Sequence, residues 1–214
     1  MSRQIEEVER SCLRLVVRAI RDYHKEAIKI FREETDLAVD VAEDITREAL
    51  DHLGLSRVHI RLYGKIDYKR AALIFLPDRE TEVALMIDSK AEKDGNTATI
   101  QMSQTSMEVR QLRAGKVVSV KGGLPTFIER AGVTMQTVTI IVKCIYKEKS
   151  TGSLLKQVKI ACIPSGIFQD QYNPDANDTI WRVGRNAPTL DEDFRVRLSF
   201  AELANKAPWR VVSF

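Results

Sequence analysis

The sequence predicts an α/β fold, a mixed central β-sheet flanked by helices, from three observations. Apolar residues recur at helical spacing through residues 1–53. Downstream, several short runs alternate apolar and polar residues, as half-buried strands do. Between them, two apolar runs of strand length, 71–76 and 83–87, flank Pro77, Asp78, Arg79 and Glu80, residue types that favour a turn.

Taken in order, Ile5, Val8, Cys12, Leu15, Val16, Ala19, Tyr23, Ala27, Ile30 and Phe31 keep the helical period through about Glu34 and predict one long amphipathic helix. Its apolar stripe serves as core or as a surface for a partner subunit. Asp36 caps a second helix with apolar face Ala38, Val41, Ala42, Ile45, Ala49 and Leu53, which Gly54 ends. Glu43 and Asp44 sit off that face, either solvated or, for Glu43, close enough to assist a metal site indirectly. Val58, Ile60 and Leu62 alternate as a strand leading into the hairpin. Residues 92–96 read as a loop, and 99–113 suit neither period. A short strand is expected over 117–120 and a short helix over 126–130, before Gly132. Alternation over 138–146 and 154–163, joined by Ser150, Thr151 and Gly152, predicts a second hairpin. Residues 164–193 are rich in Asn, Asp, Gly and Pro and read as a long loop, the kind that is usually functional or disordered. Alternation returns over 195–200, a helical turn over 201–206 follows, and PWRVV closes the chain.

The 214 residues fit a single domain, with N-terminal helices at 1–53, a sheet core at 57–163 and a polar loop with a C-terminal strand at 164–214. Hydrophobic content of 44% and charged content of 29% are those of a globular protein. No run approaches the roughly 18 apolar residues of a membrane span. The N-terminus MSRQIEEVER lacks the apolar stretch of a secretory signal, so the expected location is cytoplasmic, with no membrane partner. Cys12, Cys144 and Cys162 are too far apart for a zinc motif and odd in number, which argues against a disulfide framework. Without a Walker A or dinucleotide glycine pattern, no nucleotide cofactor is expected. Net charge is only +3, but it is uneven. Acids crowd the N-terminal helices, whereas Arg110, Arg113, Lys116, Lys121, Arg182, Arg185, Arg195, Arg197 and Arg210 lie downstream and offer a local basic face.

Chemistry concentrates on the first hairpin. With a four-residue turn Leu76 faces Thr81, so Asp67 lies across from Lys90 and Lys69 across from Asp88. Opposed residues share a face, and so do Asp88 and Lys90, two apart on one strand. Two carboxylates and an ammonium then converge at one end of the hairpin. Such a cluster suits phosphodiester cleavage, where a divalent cation neutralises charge on the phosphate and lowers the pKa of the attacking water. Oxygen ligands suit Mg²⁺. In this reading Asp67 and Asp88 hold the metal, the backbone carbonyl of Ser89 adds a ligand, and Lys90 orients water and phosphate. Asp78 follows a proline and rivals Asp67 as first acid, but a turn residue lies at the far end of the hairpin. The competing reading is a solvated ion pair at a strand end. In the polar loop, Arg182, Arg185, Asn177 and Asn186 are of types that read base edges, with Trp181 as an anchor. Arg195 and Arg197 follow on the next strand, and all four arginines read bases, contact phosphates or merely solvate the surface.

The blocks AEDIT, GKIDYKR, MIDSKA, IQMSQ, YNPD, RVRLSF and PWR, in that order, resemble the SfiI-like type II restriction endonucleases, members of the PD-(D/E)xK nuclease superfamily related to BglI. The likeness runs from about Leu13 to Arg210. It implies a restriction-endonuclease-like core and Mg²⁺-dependent cleavage of double-stranded DNA at an interrupted palindrome, with 3′ overhangs. Asp67, Asp88 and Lys90 are the catalytic set it implies. The pattern departs at position 66, which is Ile where the signature has Pro. Since the chain stops soon after PWR, the expected assembly is a homodimer, with a tetramer as the alternative. The rival functions are a structure-specific or repair nuclease on the same core and a catalytically inactive DNA-binding protein.

Overall fold

The computed structural model describes residues 2–34, 38–52, 71–76, 81–93, 95–130, 132–185 and 194–214. Its centre is a six-stranded mixed sheet built from β1 (Ala71–Leu76), β2 (Thr81–Glu92), β7 (Val133–Glu148), β8 (Ser153–Ile163) and β11 (Val211–Ser213), in that spatial order, with β6 (Phe127–Arg130) pairing β7. β2 and β7 run parallel, and the other pairings are antiparallel. Three helices, α1 (Ser2–Asp22), α2 (His24–Glu33) and α3 (Ala38–Asp51), cover one face. A three-stranded sheet of β3 (Thr97–Ile100), β10 (Val196–Ser199) and β9 (Trp181–Val183) packs on the other with α4 (Gln169–Tyr172) and α5 (Phe200–Lys206). The hairpin β4 (Val109–Arg113) and β5 (Lys116–Val120) completes the described elements.

Burial follows from this layering. β7 is buried without interruption from Met135 to Cys144, because helices lie on one side and the second sheet on the other. Val138, Ile140, Val142 and Cys144 join the helix-side core with Val8, Val16, Ile20, Ile45 and Leu85. Ile141 joins the opposite core with Ile100, Trp181 and Leu198. Each fully buried Leu or Ile contributes about 1.5–3 kcal/mol of burial, so losing either layer would unmake the sheet.

The single N-terminal helix expected from periodicity is two segments that bend at Tyr23. Helical hydrogen bonds run through the bend, from Tyr23 N to Ala19 O (3.1 Å) and from Ala27 N to Tyr23 O (3.0 Å). The Tyr23 hydroxyl donates to Glu48 on α3, and Ala27 and Phe31 remain buried in the helix-side core. A second expectation fails over 126–130, where a strand replaces the helix. Phe127 pairs with Gln136 and Arg130 with Val133, and Gly132 takes φ +78° in the connection, a conformation glycine adopts without strain. The polar stretch 164–193 is less irregular than its composition implies, since α4 and β9 fall within it. Residues 99–113 divide between β3 and β4, with a 3₁₀ turn at Met102–Gln104. Asp36, Leu53, Gly54 and the predicted strand through Val58, Ile60 and Leu62 lie outside the described residues.

The C-terminus is locked to α1 by a buried ionic cluster. Arg210 and Glu9 are 0% and 1% exposed, with Nη2 of the arginine 2.7 Å from Oε2 of the glutamate. Arg210 Nε donates to the Tyr172 hydroxyl at 2.7 Å, and the Ser165 amide donates to Glu9 Oε1 at 2.7 Å. Burial raises the Glu9 pKa, and the Arg210 guanidinium opposes that rise. Trp209 packs beside the cluster, its ring 4.2 Å from the Arg210 guanidinium and 4.0 Å from that of Arg10. Arg210 is therefore a structural cation, not a member of the basic face its sequence position suggested.

Candidate active site

β2 is an inner strand, between β1 and β7. Its register with β1 runs from Ala71 opposite Met86 to Leu76 opposite Thr81, the pairing expected from a four-residue turn. Asp67, Lys69 and Asp78 lie outside the described residues, as does the expected opposition of Asp67 to Lys90. Along β2 the two faces differ sharply. Val83, Leu85, Ile87 and Ala91 enter the helix-side core, and Ser89, on that face, is 5% exposed. Ala84 and Met86 on the other face pack with Leu124, Ile128 and Met135. That apolar footing ends at Asp88, and Lys90 and Glu92 follow on the same face.

Asp88 and Lys90 are half-buried, with Nζ of the lysine 2.9 Å from Oδ2 of the aspartate. This oxygen is shielded from water, and the Lys90 ammonium is its partner among the described residues. A carboxylate held by a single ammonium keeps lone pairs to spare, and oxygen ligands of that kind suit a hard cation. Glu43 sits on α3, which packs on the helix-facing side of β2, opposite Asp88. Among the described residues no three metal-ligating side chains converge.

The second sheet gathers the arginines singled out in the sequence. Arg197 on β10 is directly opposite Arg182 on β9, so the two share a face. Arg182 is exposed and ion-paired with Glu202 of α5. Beyond β9, Gly184 N donates to Arg195 O (2.9 Å) and Arg195 N to Arg185 O (3.0 Å), which places Arg185 and Arg195 at the end of the same ribbon. Asn177 is exposed ahead of β9, Trp181 is buried as an anchor, and Asn186 lies outside the described residues.

Sequence reasoning missed what braces this ribbon. Gln111 Nε2 donates to Arg182 O (2.9 Å), and Arg113 Nη2 donates to Gly184 O (3.1 Å) while its guanidinium stacks 3.9 Å from the Phe194 ring. Arg113 is buried, so it supports the basic face from beneath without belonging to it. The signal was the alternation of Val109, Gln111 and Arg113, all buried positions of β4, which resembled no apolar strand because two of the three are polar.

An acid and a lysine side by side on an inner strand of a mixed sheet, with arginines on a separate small sheet, fit the class of nucleases with the restriction-endonuclease fold. Known proteins make the assignment narrower. The family model for the type II restriction enzyme SfiI matches residues 24–214. The type II restriction enzyme SfiI of Streptomyces fimbriatus is 30% identical over 223 aligned positions, covering 97% of this chain and 83% of its own length. The crystal structure of tetrameric SfiI bound to cognate DNA superposes with a TM-score of 0.86 at 29% identity, over 100% of this chain and 85% of that one. The restriction endonuclease BglI bound to its DNA recognition sequence gives a TM-score of 0.77 at 16% identity over 99% and 90% of the two chains, a likeness of fold. This chain belongs to the SfiI family of type II restriction enzymes, and its activity is that of a site-specific deoxyribonuclease. No helix among the described residues is long and apolar enough to cross a membrane.

Proposed function

We propose that the chain, acting as a single nuclease domain, hydrolyses phosphodiester bonds of double-stranded DNA at a specific interrupted palindrome, with Mg²⁺ as cofactor, and leaves 3′ overhangs. The observation that supports this most is the contact of Asp88 with the Lys90 ammonium on an inner strand of the sheet. Asp88 and Asp67 would hold the cation, with the Ser89 carbonyl as a further ligand. When bound, Mg²⁺ neutralises charge on the scissile phosphate and makes water acidic enough to attack near neutral pH. Lys90 keeps its ammonium at the phosphate because Asp88 draws it there, and it orients the water and the scissile group. The inner position of β2 fixes these groups on rigid backbone.

Asp67 is tested against its rival Asp78. Asp67→Ala is expected to abolish Mg²⁺-dependent cleavage, whereas Asp78→Ala keeps it. A folded Asp78→Ala protein that cuts nothing, alongside an active Asp67→Ala protein, would transfer the first-acid role to Asp78.

A palindrome presents two equivalent half-sites, so two copies related by a two-fold axis would engage it, one active site per strand. The expected state is therefore a homodimer, or a tetramer built from such dimers. Sedimentation that finds only monomer, with and without target DNA, would contradict the palindrome.

For DNA reading, the ribbon of Arg182, Arg185, Arg195 and Arg197 is the proposed contact surface. Arginine pairs in bidentate fashion with guanine in the major groove, and a two-stranded ribbon fits that groove. Replacing a base-reading arginine by alanine is expected to cost about 1–3 kcal/mol and to relax specificity at one position. Loss of a phosphate contact weakens all sequences alike and flattens the salt dependence. Affinities for the target and for singly substituted sites, measured across a salt series with Ca²⁺ replacing Mg²⁺, separate the two. Uniform weakening in all four variants would move base reading off this ribbon.

A further inference from the structure

Lys143 lies on β7 directly beside Lys90 of β2, and its side chain is fully buried. Paired residues of parallel strands point to the same side, so Lys143 lies on the face that carries Asp88, Lys90 and Glu92. Its Nζ is 2.7 Å from Glu92 Oε2, two residues beyond Lys90 on the catalytic strand. The same ammonium donates to the main-chain carbonyl of Thr97 in β3. Thr97 is the partner of Ser199 in β10, the strand that carries Arg197, and Arg197 is in turn opposite Arg182. Phe200 N donates to Asn96 O at 3.1 Å beside this junction.

One side chain thus joins the strand bearing the catalytic acid and lysine to the sheet bearing the arginine ribbon. A buried ammonium is an expensive joint, because an apolar side chain of like volume avoids the desolvation of charge altogether. The surroundings would accept one: the Phe200 ring lies 5.8 Å from Nζ. What an apolar residue would not do is fix the β3 backbone and Glu92 to a single point.

We propose that Lys143 is a positioning residue that couples engagement of DNA by the β9–β10 ribbon to alignment of Asp88 and Lys90 for cleavage. The proposal rests on the roles given above to the ribbon and to the hairpin site. Movement of β10 on the duplex is passed through Thr97 to the ammonium, and from there through Glu92 to the end of β2. The prediction is a separation of cleavage from binding.

The test uses the full chain and a duplex carrying the sequence mapped at the fragment ends of digested bacterial genomic DNA, together with duplexes altered at one base. Kd is measured in Ca²⁺, and single-turnover cleavage with enzyme in excess in Mg²⁺. Lys143→Met should leave the target Kd and the folded fraction unchanged while cleavage falls by about 30-fold or more, the scale on which small misplacements act. Its ratio of target to altered-site cleavage should shrink while the ratio of Kd values stays. Lys143→Arg, which keeps a cation with several donors, should recover part of the rate. Glu92→Gln weakens the same junction without removing the buried cation and should show the same split, to a lesser degree.

Cleavage by folded Lys143→Met at the wild-type rate would overturn the proposal. So would a rate and an affinity that fall together in step with lost folded protein. If Lys143→Met does not fold, Glu92→Gln decides: wild-type cleavage and selectivity in that variant overturn the coupling. A wild-type protein that cuts no DNA would overturn the nuclease site and the coupling together, whereas the other outcomes overturn the coupling alone.

Discussion

Replacing Asp88 by alanine is expected to remove cleavage while leaving binding to the target sequence intact. The side chain lost carries the buried oxygen beside Lys90, and the cation it is proposed to hold would act chiefly on charge that develops in the transition state. Several kcal/mol of transition-state stabilisation correspond to a rate loss on the order of 10³-fold or greater. Affinity in the absence of metal should hold or tighten, because an acid that repels the phosphate has gone. Lys90→Ala should lose turnover as well, since the ammonium 2.9 Å from Asp88 is the described cation of this site. Filter binding in EDTA and single-turnover cleavage in Mg²⁺ report the two quantities separately. Near-wild-type cleavage by a purified Asp88→Ala protein would remove β2 from the chemistry.

The Arg210→Ala substitution is expected to destabilise the fold by about 3–5 kcal/mol, the effect of leaving a buried charge without its partner. Among the described residues Glu9 would keep the Ser165 amide alone, and the Tyr172 hydroxyl would lose its donor. The change lies where α1, the turn after β8 and the C-terminal strand meet, so unfolding should stay cooperative and shift to lower denaturant with little change in slope. Replacing both Glu9 and Arg210 by apolar residues of similar volume should recover much of the loss. A single Arg210→Ala loss below about 1 kcal/mol would mean that water reaches the cluster and the pair contributes little.

Much of this was legible in the residues because local rules agreed with the tertiary answer. The four residues after Leu76 set the hairpin register, and alternation then placed Asp88 and Lys90 on one face, as the structure has them. Ile5 through Phe31 announced a helix, though a period of 3.6 residues continues through a bend and could not reveal the break at Tyr23. Residues 127–130 looked helical because Glu129 and Arg130 carry no strand preference, and only the hairpin with β7 imposes one. β3 stayed ambiguous for a different reason: its partner β10 lies about a hundred residues further on, and four residues hold too little pattern to name a strand alone. Lys143 was the least visible. In sequence it reads as one polar position of an alternating strand, and the second sheet that buries it is assembled from segments far away. Asp67 and Asp78 lie outside the described residues, and the paired alanine substitutions decide between them.

The most direct test of the account is the sequence at the ends of the fragments that the purified protein makes from a bacterial genome. In Mg²⁺ every end should carry the same short sequence, symmetric about an unspecified centre and cut with 3′ extensions, and neither EDTA-treated nor Asp88→Ala protein should produce it. Ends scattered without a common sequence, or the same ends from the Asp88→Ala preparation, would contradict it.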